Sequence, residues 1–140
     1  MINEIKTIVQ NYLNNAALCC LMIGTVTSDG SGHSRISFGS VVIKLPSSYP
    51  EGARISIGIP AGSIKVVSEK PAFDDASMNI IPCVVRNVTV GKDTAALRLE
   101  GEIFLTVVMR RTDQDGQLPT WGMQVYALVK DTDILMFSGA

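Results

Sequence analysis

The chain has 140 residues, of which 46% are hydrophobic and 18% charged, and its formal net charge is −1. This balance excludes a disordered chain and fits one ordinary domain, or two small domains that share an interface. Without a basic stripe, binding to nucleic acid has little electrostatic support. No apolar run approaches the roughly 18 residues of a membrane span, and Asn3, Glu4 and Lys6 interrupt the N-terminus where a signal peptide would be apolar. We therefore expect a cytoplasmic protein that does not insert into a membrane.

The first 15 residues have the spacing of one amphipathic helix. Apolar side chains recur there at helical intervals, Asn3 suits the start of the helix as its cap, and Asn14-Asn15 suits its end. A helix of this kind in front of β-domains most often packs against them. It carries no catalytic residues.

From residue 21 the hydrophobic period changes to that of β-strands, with turns rich in Gly, Pro, Asp and Ser. Five strands fall in a first unit, residues 21–70, and five in a second unit, residues 77–140, with Lys70–Ala76 as the linker. Five short strands with glycine-bearing turns are typical of a small barrel of the OB type. The fold class is therefore mainly β, with two tandem OB-like barrels after a short N-terminal helix. The predicted strands are 21–27, 34–38, 41–45, 54–59, 64–67, 80–90, 95–99, 102–109, 124–130 and 134–137.

The second unit repeats the first. The segment Gly52–Ile59 is echoed by Gly122–Val129, 70 residues later, and Ile64 falls opposite Ile134. A glycine turn followed by alternating apolar residues predicts a strand that is entered from a tight turn. The repeat also aligns 24–26 with 83–85. We expect duplication of a small β-domain, and hence two equivalent surfaces.

The residues that carry catalysis or bind metal elsewhere do not form a pattern here. Cys19, Cys20 and Cys83 lack metal-ligand spacing and the single His33 lies in a Gly/Ser stretch, so reduced thiols are expected rather than a zinc site. The sequence contains neither a phosphate-binding GxxxxGK[ST] loop nor a GxSxG nucleophile motif. Carboxylate pairs such as Asp74-Asp75 stand at turns, where Asp serves the backbone. We expect a chain that is not an enzyme.

Polar residues at strand ends of the second unit fit an anion-binding site better than a catalytic or metal site. A tetrahedral oxyanion needs convergent N–H and O–H donors and one or two cations. For each residue the alternative is an ordinary solvated position at a strand end or a turn. The candidates are Lys130, Thr112, Asn79, Ser77 and Arg111.

These residues stand in segments that resemble a known family. Gly122–Lys130 resembles the closing strand of the Mop, or TOBE, domain, G-x-x-V-x-A-x-I-K. Val108–Thr112 is similar to its I-T-x-x-S segment, and Ser77–Ile81 to its S-A-R-N-x-L entry. Ile59–Pro71 resembles the segment that joins two such units in the ATP-binding subunit of molybdate importers. Ile2–Ile5 and the helix after it resemble the stretch that leaves the nucleotide-binding domain of that subunit.

The resemblance implies a non-catalytic regulatory and dimerisation domain of a molybdate or tungstate importer ATPase. Its partners would be a second copy in a homodimer, the ATPase domain of the same polypeptide, and the membrane permease. No cofactor is required; molybdate or tungstate is the implied ligand. In some members of the family, an oxyanion bound between the units stabilises an arrangement that stops the ATPase domains from closing, which requires different affinities for the two arrangements.

Two other functions remain open, a free-standing molybdate storage protein and the effector domain of a transcription regulator. When Asn79 is aligned with the Asn of S-A-R-N, Met78 stands at the Arg and Ala76 at the Ser. In the first unit Pro60 stands where Lys130 does in the second. A structural dimerisation role without a ligand is therefore a further alternative.

Overall fold

The computed structural model describes residues 18–28, 34–72, 77–110 and 118–137. The predicted helix at residues 1–15 lies outside the described residues. Within the described ranges the chain forms ten strands and two short 3₁₀ turns, so the prediction of a mainly β protein is confirmed. The strands are β1 (Leu18–Ser28), β2 (Ser34–Phe38), β3 (Val41–Lys44), β4 (Arg54–Pro60), β5 (Lys65–Val67), β6 (Met78–Val90), β7 (Thr94–Glu100), β8 (Leu105–Arg110), β9 (Gln124–Lys130) and β10 (Leu135–Phe137).

The strands form two five-stranded sheets in which every neighbouring pair is antiparallel. The first sheet has the order β10-β4-β1-β2-β3 and the second the order β5-β9-β6-β7-β8. The strand expected to close the first unit therefore lies in the second sheet, and the last strand of the chain lies in the first. Each sheet therefore contains four strands from one of the units 21–70 and 77–140 and one strand from the other unit.

Two 3₁₀ turns carry the chain from one sheet to the other. Ala61–Ser63 follows β4 and leads to β5, and Asp131–Asp133 follows β9 and leads to β10. Ile64 and Ile134 come directly after these turns and are 5% and 3% exposed. Each exchanged strand covers an edge of β9 or β4 that would otherwise present unpaired backbone groups.

The internal repeat is visible in matched hydrogen bonds at the entry to β4 and β9. Gly52 and Gly122 have φ angles of 87° and 82°, in the left-handed region that glycine adopts without strain. The Gly52 N–H donates to the Val26 carbonyl at 2.8 Å, and the Gly122 N–H donates to the Val85 carbonyl at 2.7 Å. The alignment of the two halves predicted from the sequence is therefore confirmed at these positions.

The inward faces of both sheets contribute to one apolar cluster, as the alternating patterns predict. Cys83 is part of this cluster and is 3% exposed. No helix among the described residues is long and apolar enough to cross a membrane. The largest fully buried side chains include Ile36, Ile43, Leu45, Ile57, Ile81, Leu97, Leu99 and Leu105.

The strand predicted at residues 102–109 begins three residues later than expected. β8 starts at Leu105 rather than at Glu102. The Ser40 hydroxyl, in the turn between β2 and β3, donates to a Glu102 carboxylate oxygen at 3.4 Å. The residues that precede β8 thus contact the other half of the chain instead of extending the ladder with β7.

Candidate functional site

The ends of β6 and β9 bring together three of the five candidate residues. Met78 and Lys130 are directly opposite each other in the ladder, and Asn79 is the next residue along β6. The carbonyl of Ser77 accepts a hydrogen bond from the Asp131 N–H at 2.8 Å. Ser77 and Lys130 are exposed, so their side chains are accessible to an anion.

The other two candidates, Thr112 and Arg111, lie outside the described residues. The strand that leads to them, β8, ends at the exposed Arg110. This strand contacts β1 and the 3₁₀ turn at Ala61–Ser63, which are parts of the first half. It is β3, from the first half, that contacts β6.

Asn79 has a specific structural partner. Its side chain is 2% exposed, its Oδ1 accepts a hydrogen bond from the Lys44 N–H at 2.7 Å, and its Nδ2 donates to the Lys44 carbonyl at 3.2 Å. The amide thus occupies both backbone groups that the edge strand β3 presents at this residue. A direct contact of Asn79 with an oxyanion stays a prediction; the contact in the structure joins β3 to β6.

Lys44 is a residue near the site that the sequence analysis missed. It is half-buried and is the cross-strand partner of Arg35. Because its N–H and C=O bind Asn79, they point away from β2, which makes Arg35 and Lys44 a non-hydrogen-bonded pair whose side chains stand close together. Two cations therefore share one face of the first sheet beside the candidate site. The alternation in β3 marks Lys44 as facing outward, but no local pattern shows that β6 is its neighbour.

The first sheet is positively charged along its strands. Arg35, Lys44 and Arg54 belong to these strands, and none of the five strands contains Asp or Glu. Such a distribution raises the local concentration of anions. The cations of the first sheet therefore favour an anion, whereas Asp131 and Asp133, directly after Lys130, oppose one.

The described part of the chain has neither a cluster of metal ligands nor an activated thiol at Cys83. Those residues contain no group of three or more His, Cys, Asp or Glu side chains that could hold a metal ion. Burial raises the pKa of the Cys83 thiol to about 11, so the thiol is protonated at neutral pH. A protonated, buried thiol is neither a nucleophile nor a metal ligand.

Taken together, two antiparallel sheets with exchanged closing strands, a repeated glycine turn and a polar strand end define a tandem β protein with a candidate anion site. A solved structure of this class is that of the cytoplasmic molybdate-binding protein ModG with molybdate bound. The chain matches it with a TM-score of 0.68 and 13% sequence identity, over 86% of this chain and 96% of the ModG chain. At this identity the similarity shows a shared fold. No family model and no curated protein sequence matches the chain.

Proposed function

We propose that the chain binds a tetrahedral oxyanion of the molybdate class where β6 begins and β9 ends, with Lys130 as its principal cation and Ser77 as a hydroxyl donor. The observation that carries this proposal is the fold of a molybdate-binding protein over 86% of the chain. The pairing of Met78 with Lys130 adds to it, because it places two of the family-like segments side by side.

The local charges indicate what else the site needs. Asp131 and Asp133 follow Lys130 directly, so the strand end alone has more negative than positive charge. A dianion such as molybdate therefore requires further cations. Lys44 is held close by through Asn79, and a second copy of the chain is another source. This balance supports the proposal of a homodimer whose two copies complete the site.

We place this binding in a regulatory module. The module would dimerise and sense molybdate or tungstate for an importer ATPase, acting with the ATPase domain of the same polypeptide and with the permease at the cytoplasmic face. The resemblance of residues 59–71 to the joining segment of such subunits supports this assignment. When the chain is fused to such an ATPase domain, its ATP hydrolysis should become sensitive to molybdate; hydrolysis that ignores molybdate would remove the regulatory part.

A free-standing molybdate-binding protein is the second candidate. The observation in its favour is that the match covers 96% of the ModG chain. The fusion experiment separates the two, because a storage protein binds the anion without altering hydrolysis by a fused domain.

Calorimetric titration tests the binding itself. Wild type should release or absorb heat with molybdate and not with sulfate. In Lys130→Ala the affinity should fall at least tenfold, about 1.4 kcal/mol, since a hydrogen bond to a charged group contributes about 1.5–3 kcal/mol. Lys92→Ala is the matched control, because Lys92 is exposed in the turn after β6, at the far end of that strand from Met78. A folded protein that gives no heat with molybdate would contradict the proposal and favour a dimerisation role without a ligand.

A further inference from the structure

A bulge in β6 distinguishes the outer face of the second sheet from that of the first. Val85 pairs with Leu99 and Asn87 with Arg98, so Arg86 is an extra residue in the ladder. As a result both Arg86 and Asn87 are exposed. The corresponding pairing of β1 with β2 runs without a bulge over its three described pairs. Bulges of this kind re-aim side chains and occur next to functional sites.

The re-aimed Arg86 stands at the edge of an open cavity. The cavity has a volume of about 310 Å³, which is at the lower end of the range for small-molecule sites. Arg86 lies eight residues beyond Met78 along β6, roughly 26 Å of extended strand, so the cavity is separate from the candidate oxyanion site. Its lining consists of Arg86, Asn87, Arg98, Leu99, Glu100, Phe104, Leu105 and Thr106.

The two arginines of the cavity have different surroundings. The Arg86 Nε is 3.1 Å from a Glu100 carboxylate oxygen, and its guanidinium lies 5.7 Å from the centre of the Trp121 ring. Arg98 is exposed, and its cross-strand neighbours Asn87 and Thr106 are uncharged. It has no carboxylate partner within the described ranges. Two arginines and one glutamate leave the cavity with one net positive charge, centred on Arg98.

Aromatic side chains stand at the same place. Phe104 lines the cavity and is 66% exposed, and Trp121, beside Arg86, is 70% exposed. These are the two most exposed large apolar side chains among the described residues. Aromatic rings that keep so much surface in water gain most from a flat apolar group that covers them.

The charge of the cavity restricts its occupant. A two-fold contact whose axis passes through the cavity would place Arg98 of one chain near Arg98 of the other, which is repulsive. A dianion would bring its second negative charge against Glu100. A single carboxylate matches both the net charge and the planar fork of a guanidinium.

We propose that this cavity binds a monoanionic carboxylate attached to a flat apolar group, with Arg98 holding the carboxylate and Phe104 packing against the apolar group. Arg86 is kept in place by Glu100 and Trp121 and forms one wall. The negative charge of Glu100 also repels the second charge of a dianion.

Trp121 is the single tryptophan of the chain and reports on the cavity by its fluorescence. The probes are benzoate and 4-methylbenzoate, with benzamide as the uncharged analogue and inorganic phosphate, at a pH well above its second pKa, as the dianion. Wild type should show a saturable change with the two carboxylates and none with benzamide or phosphate. Free N-acetyltryptophanamide, titrated in parallel, corrects for absorption by the probe.

Variants of Arg98 and Glu100 test where the carboxylate binds and whether Glu100 excludes dianions. Arg98→Gln should weaken carboxylate binding at least tenfold, whereas Arg54→Gln, which removes an exposed arginine of the first sheet, should leave it unchanged. Glu100→Gln should admit phosphate. The proposal is overturned if neither carboxylate gives a saturable change, or if Arg98→Gln binds as wild type does. Molybdate titration of Arg98→Gln should match wild type, so failure here is distinguishable from failure of the proposed oxyanion site.

Discussion

The buried amide of Asn79 takes the place of a neighbouring strand for Lys44. It accepts from the Lys44 N–H at 2.7 Å and donates to the Lys44 carbonyl at 3.2 Å. Asn79 belongs to β6 in the second half of the chain, and Lys44 belongs to β3 in the first. One side chain thus joins the two sheets directly beside Met78 and Lys130, where the oxyanion is proposed to bind.

Replacement of Asn79 by alanine should destabilise the protein by about 1–3 kcal/mol, because it leaves the backbone N–H and C=O of Lys44 without partners. Asn87→Ala, on the exposed part of the same strand, should change stability by less than about 0.5 kcal/mol. Urea unfolding of the three proteins measures both effects. Equal stability of the two variants would mean that water replaces the amide at no cost, and that the contact does not hold the sheets together.

Gly24 should not tolerate a methyl group. A Cβ at this position would overlap Cγ2 of Ile36, which is fully buried. We expect Gly24→Ala to cost about 1–3 kcal/mol, the usual range for overpacking a core. Gly62→Ala is the matched control, since a Cβ at Gly62 meets no atom within 4 Å. A thermal shift in Gly24→Ala no larger than in the control would show that Ile36 can move aside.

The exchanged strand β10 should protect backbone amides of the first sheet, and not those of β9, from hydrogen exchange. It pairs Leu135 with Gly58 and Phe137 with Ser56. Removing residues 135–140 keeps the buried Ile134 but exposes this edge of β4. We expect faster amide hydrogen exchange at residues 56–58 and unchanged exchange in β9. Faster exchange in β9 instead would contradict the strand order of the two sheets.

The Cys83 thiol should make stability depend on alkaline pH. Its pKa is about 11 in the folded protein because burial disfavours the thiolate, whereas an exposed cysteine titrates at about 8.5. The protonated form is thus favoured by folding, so this contribution is complete below the unfolded pKa and is lost as pH rises through the folded value.

Between about pH 8 and about pH 10.5, unfolding free energy should therefore fall more steeply in wild type than in Cys83→Ala. Cys19 and Cys20 are present in both proteins, so their titration cancels in the comparison. Parallel pH profiles for the two proteins would show that Cys83 ionises as easily when folded as when unfolded.

The positions of the strands could be predicted from the sequence because alternation and turn residues are local signals. Ser34–Phe38 and Gln124–Lys130 were predicted to the residue, and every other predicted strand overlaps an observed one. The repeat of Gly52 at Gly122 could also be predicted, because a turn with a positive φ angle favours glycine at the same place in both halves.

Partners of the strands were not predictable, because the apolar pattern of β5 is satisfied by the edge of either sheet. The same limit hid the contact of Asn79 with Lys44, which are 35 residues apart. Arg86 could not be placed either, since a bulge arises from the pairing of two strands and not from the residues of one.

The exchange of β10 has a consequence for synthesis of the chain on the ribosome. β4 is complete at residue 60, but its partner β10 is made only at residues 135–137, 75 residues later along the chain. At roughly 5–20 residues per second, the edge of β4 waits on the order of 4–15 s before its neighbour exists. During that time the free edge of β4 can pair with a strand of another nascent chain. We therefore expect chaperones that bind exposed strands to bind the first sheet during synthesis.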